Sequence, residues 1–395
     1  SVTNSEVDFI AHGQPVDITN AVIGFLIPKS FLLRQSYLDF RNQFLSKANI
    51  IEIYDLGPNL FKQATNEVQI MIFEKKKGID IESSIYLYPN DKIISYTDQN
   101  YDNLNVCLNI SCPLCSAVQK VYVYTFESKC PYCGKPTIKL NRIRIKINKF
   151  DKKIIDKIEI TGNLNFLNVK DFPKLIRGEE AKGLKEIRKL VKVKARGSCY
   201  FIYAKDDFHY YYYKTNKYFD LFELDPKMLK GENYEYYTKP KLLIKHNNII
   251  PQASYSEDCT CFTSSIYSLL DDNAETLKFI CAVLNSSIIQ FYCLFAINNQ
   301  QNTTINLNQY MIRHLPIKIV DDSVKSTVNR KVDSIINAFK ASEGKITKKI
   351  AKLWQEIDDE IFKIYSFSEE DKNYILKSVQ SEIDFINLIY SVKIK

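Results

Sequence analysis

Glycine is scarce in this chain, 11 among 395 residues, and no two of them form a Gly-x-Gly. That excludes a Gly-rich turn of the kind that lets backbone amides approach a nucleotide-like cofactor. There is also no Asn-Pro-Pro, Asp-Pro-Pro or Ser-Pro-Pro. No run of 18 apolar residues exists, and the N-terminus lacks a basic-then-apolar signal, so the expectation is a soluble cytoplasmic protein. Low-complexity disorder is excluded as well: hydrophobic residues make up 45%, with 26 Tyr and 23 Phe.

What is present is enough chain for two or three domains with real cores. Net charge is +8, and its distribution is uneven. Between residues 134 and 196 there are 19 Lys/Arg and 7 Asp/Glu, so the rest of the chain is net negative. A concentrated basic block suits a phosphate backbone, although a solvated charged surface has the same composition.

Four of the ten cysteines stand in two metal-type pairs, Cys112-Pro-Leu-Cys115 and Cys130-Pro-Tyr-Cys133-Gly134. Tight CxxC turns present backbone amides to thiolates, and four sulfurs complete a tetrahedral Zn²⁺ with no open position. The expectation is a structural zinc ribbon with a short β-ribbon over 118–126. Cys107, Cys199, Cys259, Cys261, Cys281 and Cys293 sit in mostly apolar surroundings and read as buried thiols.

In the N-terminal part, apolar 21–27 reads as a strand ending in Pro28. A helix is expected over 35–48 with Tyr37, Phe40, Phe44 and Leu45 on one face, followed by strands at 50–56 and 68–73. Strand–helix–strand with a paired strand is an α/β fragment. Residues 141–150 alternate Arg/Lys with Ile and read as a strand with one basic face. The run from Tyr200 to Tyr218 interleaves tyrosines with Lys205, Lys214 and Lys217; it could stack on bases, but burial of half the rings is preferred. Leu242, Leu243 and Ile244 read as a buried strand core, 258–267 as a strand, and 277–295 as a helix broken at Asn285-Ser286-Ser287. After Pro316 the chain reads as charged helices, with Ser368 as an N-cap.

Together, Lys239-Pro-Lys-Leu-Leu-Ile-Lys-His246, Thr263–Tyr267, Leu277–Ser286 and Arg313-His-Leu-Pro316-Ile317 resemble the target-recognition domain of the TaqI-type DNA adenine methyltransferases and related single-chain restriction–modification enzymes. Ser287 stands where that family often has Lys. Leu26-Ile-Pro-Lys-Ser-Phe-Leu32, Arg41, Leu56-Gly57, Phe61 and Ile70–Phe73 resemble the last part of the family's catalytic domain. Leu175-Ile-Arg-Gly-Glu-Glu180 is similar to the entry into its recognition domain, and Ile357–Glu370 to the tail that follows.

The resemblance implies an α/β chain: a partial Rossmann-like methyltransferase half-domain (1–80), a zinc-ribbon insertion (81–150), an α/β target-recognition domain (151–320) and a helical tail (321–395). It implies double-stranded DNA as partner, with Lys29, Arg177, Lys241, Lys245, His246 and Arg313 as contacts. Phe61 would pack against an adenine flipped from the duplex. S-adenosylmethionine and the Asn-Pro-Pro-Tyr loop would come from a missing N-terminal half or a catalytic partner subunit, so this chain alone is not expected to methylate. Two other readings stay open. One is a non-enzymatic specificity or adaptor subunit. The other is a Mg²⁺-dependent nuclease using Asp55, Glu74 and Lys76 in a loose Asp…Glu-x-Lys pattern.

Overall fold

The computed structural model describes residues 22–58, 60–61, 67–75, 83–87, 92–96, 102–109, 122–166, 174–193, 197–229, 233–298 and 307–392. The chain divides into two compact units: residues 1–112, 122–153 and 295–304 form one, and 113–121, 154–294 and 305–395 the other. The expected tail (321–395) lies in the second unit, whereas the expected recognition domain (151–320) is divided, with 151–153 and 295–304 in the first; Cys107, Cys130 and Cys133 also fall in the first.

In the first unit, β1 (Val22–Pro28) leads through the single turn α1 (Ser30–Leu33) into α2 (Leu38–Lys47), then β2 (Ala48–Asp55) and β3 (Val68–Lys75). β4 (Ser83–Leu87) and β5 (Lys92–Tyr96) complete a five-stranded sheet of order β1-β3-β2-β4-β5. β3 is antiparallel to both β1 and β2, so those two run parallel with a helical crossover between them. Aromatic packing holds α2 on the sheet: the Phe44 and Phe73 ring centroids lie 4.8 Å apart. Buried Arg41 satisfies the carbonyls of Phe31 (2.9 Å), Arg34 (3.1 Å) and Leu140 (2.8 Å). The expected helix is shorter than its apolar pattern, because 35–37 forms a 3₁₀ turn first. β1 is an edge strand, and Val22, Ile23 and Leu26 are 60%, 40% and 49% exposed.

A small sheet of β6 (Asn105–Cys107), β7 (Val123–Thr125) and β8 (Ile138–Lys139) follows, ordered β7-β6-β8. The expected basic-faced strand at 141–150 does not form. Asn141 takes a left-handed φ of 46°, which breaks an extended run. The bases there turn inward: Arg142 pairs with Asp102, Arg144 donates to the Ala296 carbonyl (3.2 Å), and Lys146 pairs with Asp55 (3.0 Å).

The second unit holds most of α3 (Lys149–Thr161), then β9 (Lys174–Arg177), α4 (Ala181–Leu190), β10 (Lys192–Val193), β11 (Cys199–Ile202), β12 (Lys217–Phe219) and α5 (Asn233–Tyr237). β13 (Lys241–Lys245), β14 (Gln252–Ser256), β15 (Thr260–Phe262) and β16 (Ile266–Leu270) follow. They build two four-stranded sheets, β10-β12-β11-β15 and β14-β13-β16-β9. The second is antiparallel throughout. The sheets share one core that includes Ile176, Phe201, Tyr237, Leu243 and Phe262. Leu242, Leu243 and Ile244 are fully buried, as their apolar run requires.

The expected single strand at 258–267 is two, interrupted at 263–265. Cys199 and Cys259 are placed as a disulfide, so these two are not free buried thiols.

α6 (Ala274–Asn285) ends at the anticipated break, and Ser286 caps α7 (Ser287–Tyr292). α8 (Gln309–Arg313) precedes the tail helices α9 (Asp322–Ala341), α10 (Lys348–Ile364), α11 (Glu369–Glu382) and α12 (Asp384–Ser391). Ser368 caps α11 by accepting from Asp371 N–H at 3.1 Å. The tyrosine run is core: Tyr210 and Tyr211 meet Trp354 edge-on at 5.3 and 5.2 Å. No single described helix is long and apolar enough to cross a membrane.

Candidate nucleic-acid interface

Three of the DNA-contact candidates converge at one end of the sheet β14-β13-β16-β9. Register places Arg177, the last residue of β9, opposite Tyr267, and Lys245, the last residue of β13, opposite Ile266. His246 follows Lys245. The Ser264 carbonyl, in the β15–β16 connection, accepts from both Arg177 Nε (3.1 Å) and His246 Nε2 (2.7 Å). One backbone oxygen thus fixes a guanidinium and an imidazole side by side.

That connection is itself pinned. Ser264 N–H donates to the Glu179 carbonyl at 2.9 Å, and Glu179 N–H to the Phe262 carbonyl at 2.9 Å. Gly178 permits the approach, because a Cβ there would stand 2.4 Å from the Thr263 carbonyl oxygen. Buried Glu179 accepts from Asn233 Nδ2 and the Tyr237 hydroxyl, each at 2.7 Å.

The three side chains differ in what they offer. Arg177 is 37% exposed at its side chain and meets the half-exposed Glu180 carboxylate at 3.4 Å. Lys245 is half-buried, and desolvation lowers its pKa. His246 is buried and lies over the Tyr267 ring with centroids 4.1 Å apart. Burial, then the Arg177 charge, holds its pKa below the ordinary histidine value. It is therefore a neutral hydrogen-bonding ring at pH 7 and adds no positive charge; bonding to a carbonyl puts its proton on Nε2.

Directly after this turn, α4 is amphipathic. Ile187 packs into the core, while Lys182, Lys185, Arg188 and Lys189 are exposed, with Lys192 exposed on β10. Lys189 is partly offset by Glu186 at 2.8 Å. The 134–196 basic block thus splits: 142–146 faces inward and α4 faces water. α4 and the exposed Asn247, whose amide meets Ser265 Oγ at 2.6 Å, were not singled out from sequence. The signal was there in the i, i+3, i+7 spacing of Lys182, Lys185 and Lys189 around apolar Leu184 and Ile187.

The other candidates are not brought to this surface. Lys241 is fully buried, donates to the Asp258 carbonyl at 2.9 Å, and is pushed down to about 8 by desolvation. Arg313, the last residue of α8, is 4% exposed, and burial lowers its pKa. In the first unit Lys29 is buried between Asp55 and Glu67. All three are buried inside the fold, and Lys241 and Lys29 meet polar partners there. Phe61 does the reverse: it is 47% exposed beside Leu60 at 50%, not a buried loop anchor.

The nuclease arrangement does not assemble. Asp55 pairs with Gln69, whereas Glu74 pairs with Asn49 at the other end of β3. A strand rise of about 3.3 Å per residue separates the two acids by roughly 17 Å, too far to share one Mg²⁺. Lys76 lies outside the described residues.

Of the four expected metal ligands, Cys112 and Cys115 lie outside the described residues. Among the described residues Cys130 and Cys133 are joined by Cys107, which was expected to be a buried thiol. The three Sγ atoms lie within 4.8 Å of one another, with Cys107 and Cys133 3.7 Å apart. The Asn109 amide, 3.5 Å away, pulls the Cys133 thiol down to about 6, while burial pushes Cys130 up to about 12.

Residues 200–317 match the family model of the TaqI-like C-terminal specificity domain. This segment is similar to that specificity domain. It begins within β11 and contains β12 to β16 and α8, and β9 with Arg177 joins its sheet from outside the matched residues. Among solved structures the chain is similar to the type IIL restriction-modification enzyme MmeI in complex with DNA, at 8% identity and a TM-score of 0.49 over 91% of this chain and 49% of that one. It is similar to the type IIG restriction endonuclease BpuSI at 12% identity and a TM-score of 0.34, over 87% and 47%. It is also similar to the HsdS subunit from Thermoanaerobacter tengcongensis at 8% identity and a TM-score of 0.24, over 55% and 50%. The chain spans about half the length of each. No curated protein matches it.

Proposed function

We propose that this chain supplies DNA target recognition within an S-adenosylmethionine-dependent adenine-N6 methyltransferase of the restriction–modification type. The observation that carries the proposal is the specificity domain's sheet end, where Ser264 fixes Arg177 and His246 beside Lys245 and the basic face of α4 follows. In this reading α4 tracks phosphates, and the Arg177 fork and Asn247 read base edges in the major groove. Phe61 stacks on the adenine once it has left the duplex.

The residues present do not fit the methyl donor. The chain has no Gly-x-Gly and no Asn-Pro-Pro-Tyr loop, and no step of methyl transfer is derived from it. Those parts belong, in this proposal, to a separate catalytic segment or subunit. The exposed apolar residues of edge strand β1 suit its docking, since an α/β sheet continues by adding a strand at such an edge.

The cysteine cluster does fit a soft divalent ion. Cys107, Cys130 and Cys133 would hold Zn²⁺, with Cys112 or Cys115 available in sequence, and the ion would crosslink the β6–β8 ribbon. One zinc per chain by elemental analysis is expected, falling in Cys133→Ser; a metal-free protein with an intact ribbon would count against it.

The deciding test is selection from a randomised duplex library, followed by methyl transfer with a candidate catalytic partner. Enrichment of one sequence, and adenine methylation only by the pair, support the proposal. Enrichment that never supports transfer makes the chain an adaptor. Binding without sequence preference overturns recognition itself.

A further inference from the structure

The buried charges of the first unit form one cluster around the feet of a loop. Asp55 is the last residue of β2, and Glu67 immediately precedes β3. The Lys29 ammonium, 1% exposed at its side chain, stands between their carboxylates, 2.6 Å from Glu67 and in contact with Asp55. The Lys29 backbone N–H also donates to the Glu67 carbonyl at 3.1 Å. Asp55 is held a second time by Lys146 at 3.0 Å. Its carboxylate accepts from Gly57 N–H at 3.0 Å, where Gly57 turns the chain with a φ of 69°.

So one ammonium ties both ends of the connection that carries Leu60 and Phe61. Among the described residues two lysines meet two carboxylates here, at almost no solvent exposure. Charges are seldom buried this way without a partner for each, and a buried pair fixes geometry more than it adds stability. At the other end of the same short connection, two large apolar side chains stand uncovered in water. Feet held by ion pairs and a half-exposed Phe61 between them in sequence fit a device for presenting that ring at a set position.

We propose that Lys29 is a positioning residue: it locks Asp55 to Glu67 and so holds Phe61 out toward an unstacked nucleobase. The base is named on the methyltransferase reading above; the clamp itself stands on the ion pairs. Lys29 thereby changes role, from expected DNA contact to support of the residue that makes the contact.

The test is hydrogen exchange by mass spectrometry on the full chain, comparing wild type with Lys29→Met and with the double variant Lys29→Met/Glu67→Gln. The single variant takes the ammonium from between two buried carboxylates and can lose the fold of its unit. The double variant removes both charges of the Lys29–Glu67 pair and leaves Asp55 with Lys146, so the ammonium link between the feet is lost while the Leu56 N–H to Val68 carbonyl bond (3.3 Å) remains. The expected result is about tenfold or faster exchange for peptides spanning 56–67 in the double variant, with β1 to β3 as protected as in wild type. Unchanged protection of 56–67 overturns the clamp, for Lys29 then serves only to neutralise charge.

A Phe61→Trp reporter adds a second readout. The native Trp354 is 2% exposed, so iodide quenches residue 61 selectively, and its local motion should rise when Lys29 is removed. Contact with a base is checked separately, by 2-aminopurine fluorescence in duplex DNA with wild type and Phe61→Ala. Exchange that responds to Lys29 with no Phe61-dependent 2-aminopurine signal leaves the clamp standing and overturns the base-stacking reading.

Discussion

Two sheet ends in this chain gather basic residues, and they treat them oppositely. Around β1–β3, Lys29 and Lys146 are buried against Asp55 and Glu67, cation for anion. At the end of β13 and β16, Arg177 meets the half-exposed Glu180 carboxylate and Lys245 is half-buried beside it, and both keep contact with water. The first arrangement cannot attract a polyanion, because its charge is cancelled before it reaches the surface. The second retains positive charge at modest desolvation cost, and α4 extends it. What separates the buried bases from the outward-facing ones here is the set of local counter-charges, not residue type. Lys241 is a third case: it is buried, and no carboxylate lies within ion-pair distance among the described residues.

The comparison breaks most visibly where the balance is tightest. Asp55→Asn keeps the shape of the β2 end but removes the carboxylate that both Lys29 and Lys146 meet. It should cost the first unit about 3–5 kcal/mol, measured by urea unfolding followed through amide exchange of β2 and β3 peptides. A loss below about 1 kcal/mol would place the cluster with ordinary surface pairs.

Lys241 gives a pH signature. Its folded pKa, about 8, lies below the ordinary lysine value. Between about 8 and 10.4 the unfolded chain therefore holds a proton that the folded chain has lost, so this residue's contribution to stability rises with pH. The contribution is fully present above the unfolded value and is lost as pH falls through about 8. Lys241→Met removes the dependence, so the wild-type-minus-variant difference should rise by up to about 3 kcal/mol across that window. A flat difference would mean that the Asp258 carbonyl alone sustains the charged form.

The outward end should answer in binding, not in folding. Arg177→Ala is expected to weaken the preferred sequence by about 1–3 kcal/mol and to flatten discrimination at one base pair. Lys185→Ala should weaken all duplexes alike and lower the salt slope by about 1. Fluorescence anisotropy at several salt concentrations separates the two. Equal losses on preferred and random DNA for Arg177→Ala would reassign it to the phosphates.

Much of the scaffold was legible because its signals are local. The apolar run 242–244, the break at 285–287 and the Ser368 cap are decided within a few residues, and each stands where expected. The recognition segment was legible through several short blocks in a fixed order. Side-chain direction was not. Whether Lys29 or Arg142 turns inward depends on partners 38 and 40 residues away, which no periodicity reveals. The alternation at 141–150 misled for the same reason, since a single left-handed Asn141 and buried acceptors outweigh a period of two. Cys107 was hidden because metal spacing is read from CxxC pairs, whereas β6 delivers it to Cys130 and Cys133 through strand pairing.

The smallest expected effect sharpens the comparison furthest. Glu180 is the counter-charge beside Arg177, 3.4 Å away with both side chains partly in water. An exposed pair of this kind contributes about 0–1 kcal/mol to stability, so Glu180→Gln should leave unfolding almost unchanged. For DNA the sign reverses: removing the carboxylate frees the guanidinium and raises the local potential, so binding should tighten by a few tenths of a kcal/mol, roughly twofold, most clearly at low salt. The same charge removal at Asp55 should cost several times more in folding and change binding little except through loss of fold. If Glu180→Gln instead weakens DNA binding, the carboxylate is itself a reader, since Glu and Asp accept from the cytosine amine. The Arg177–Glu180 pair would then be the recognition unit, and the sheet end would owe its role to a matched pair of donors and acceptors, not to surplus positive charge.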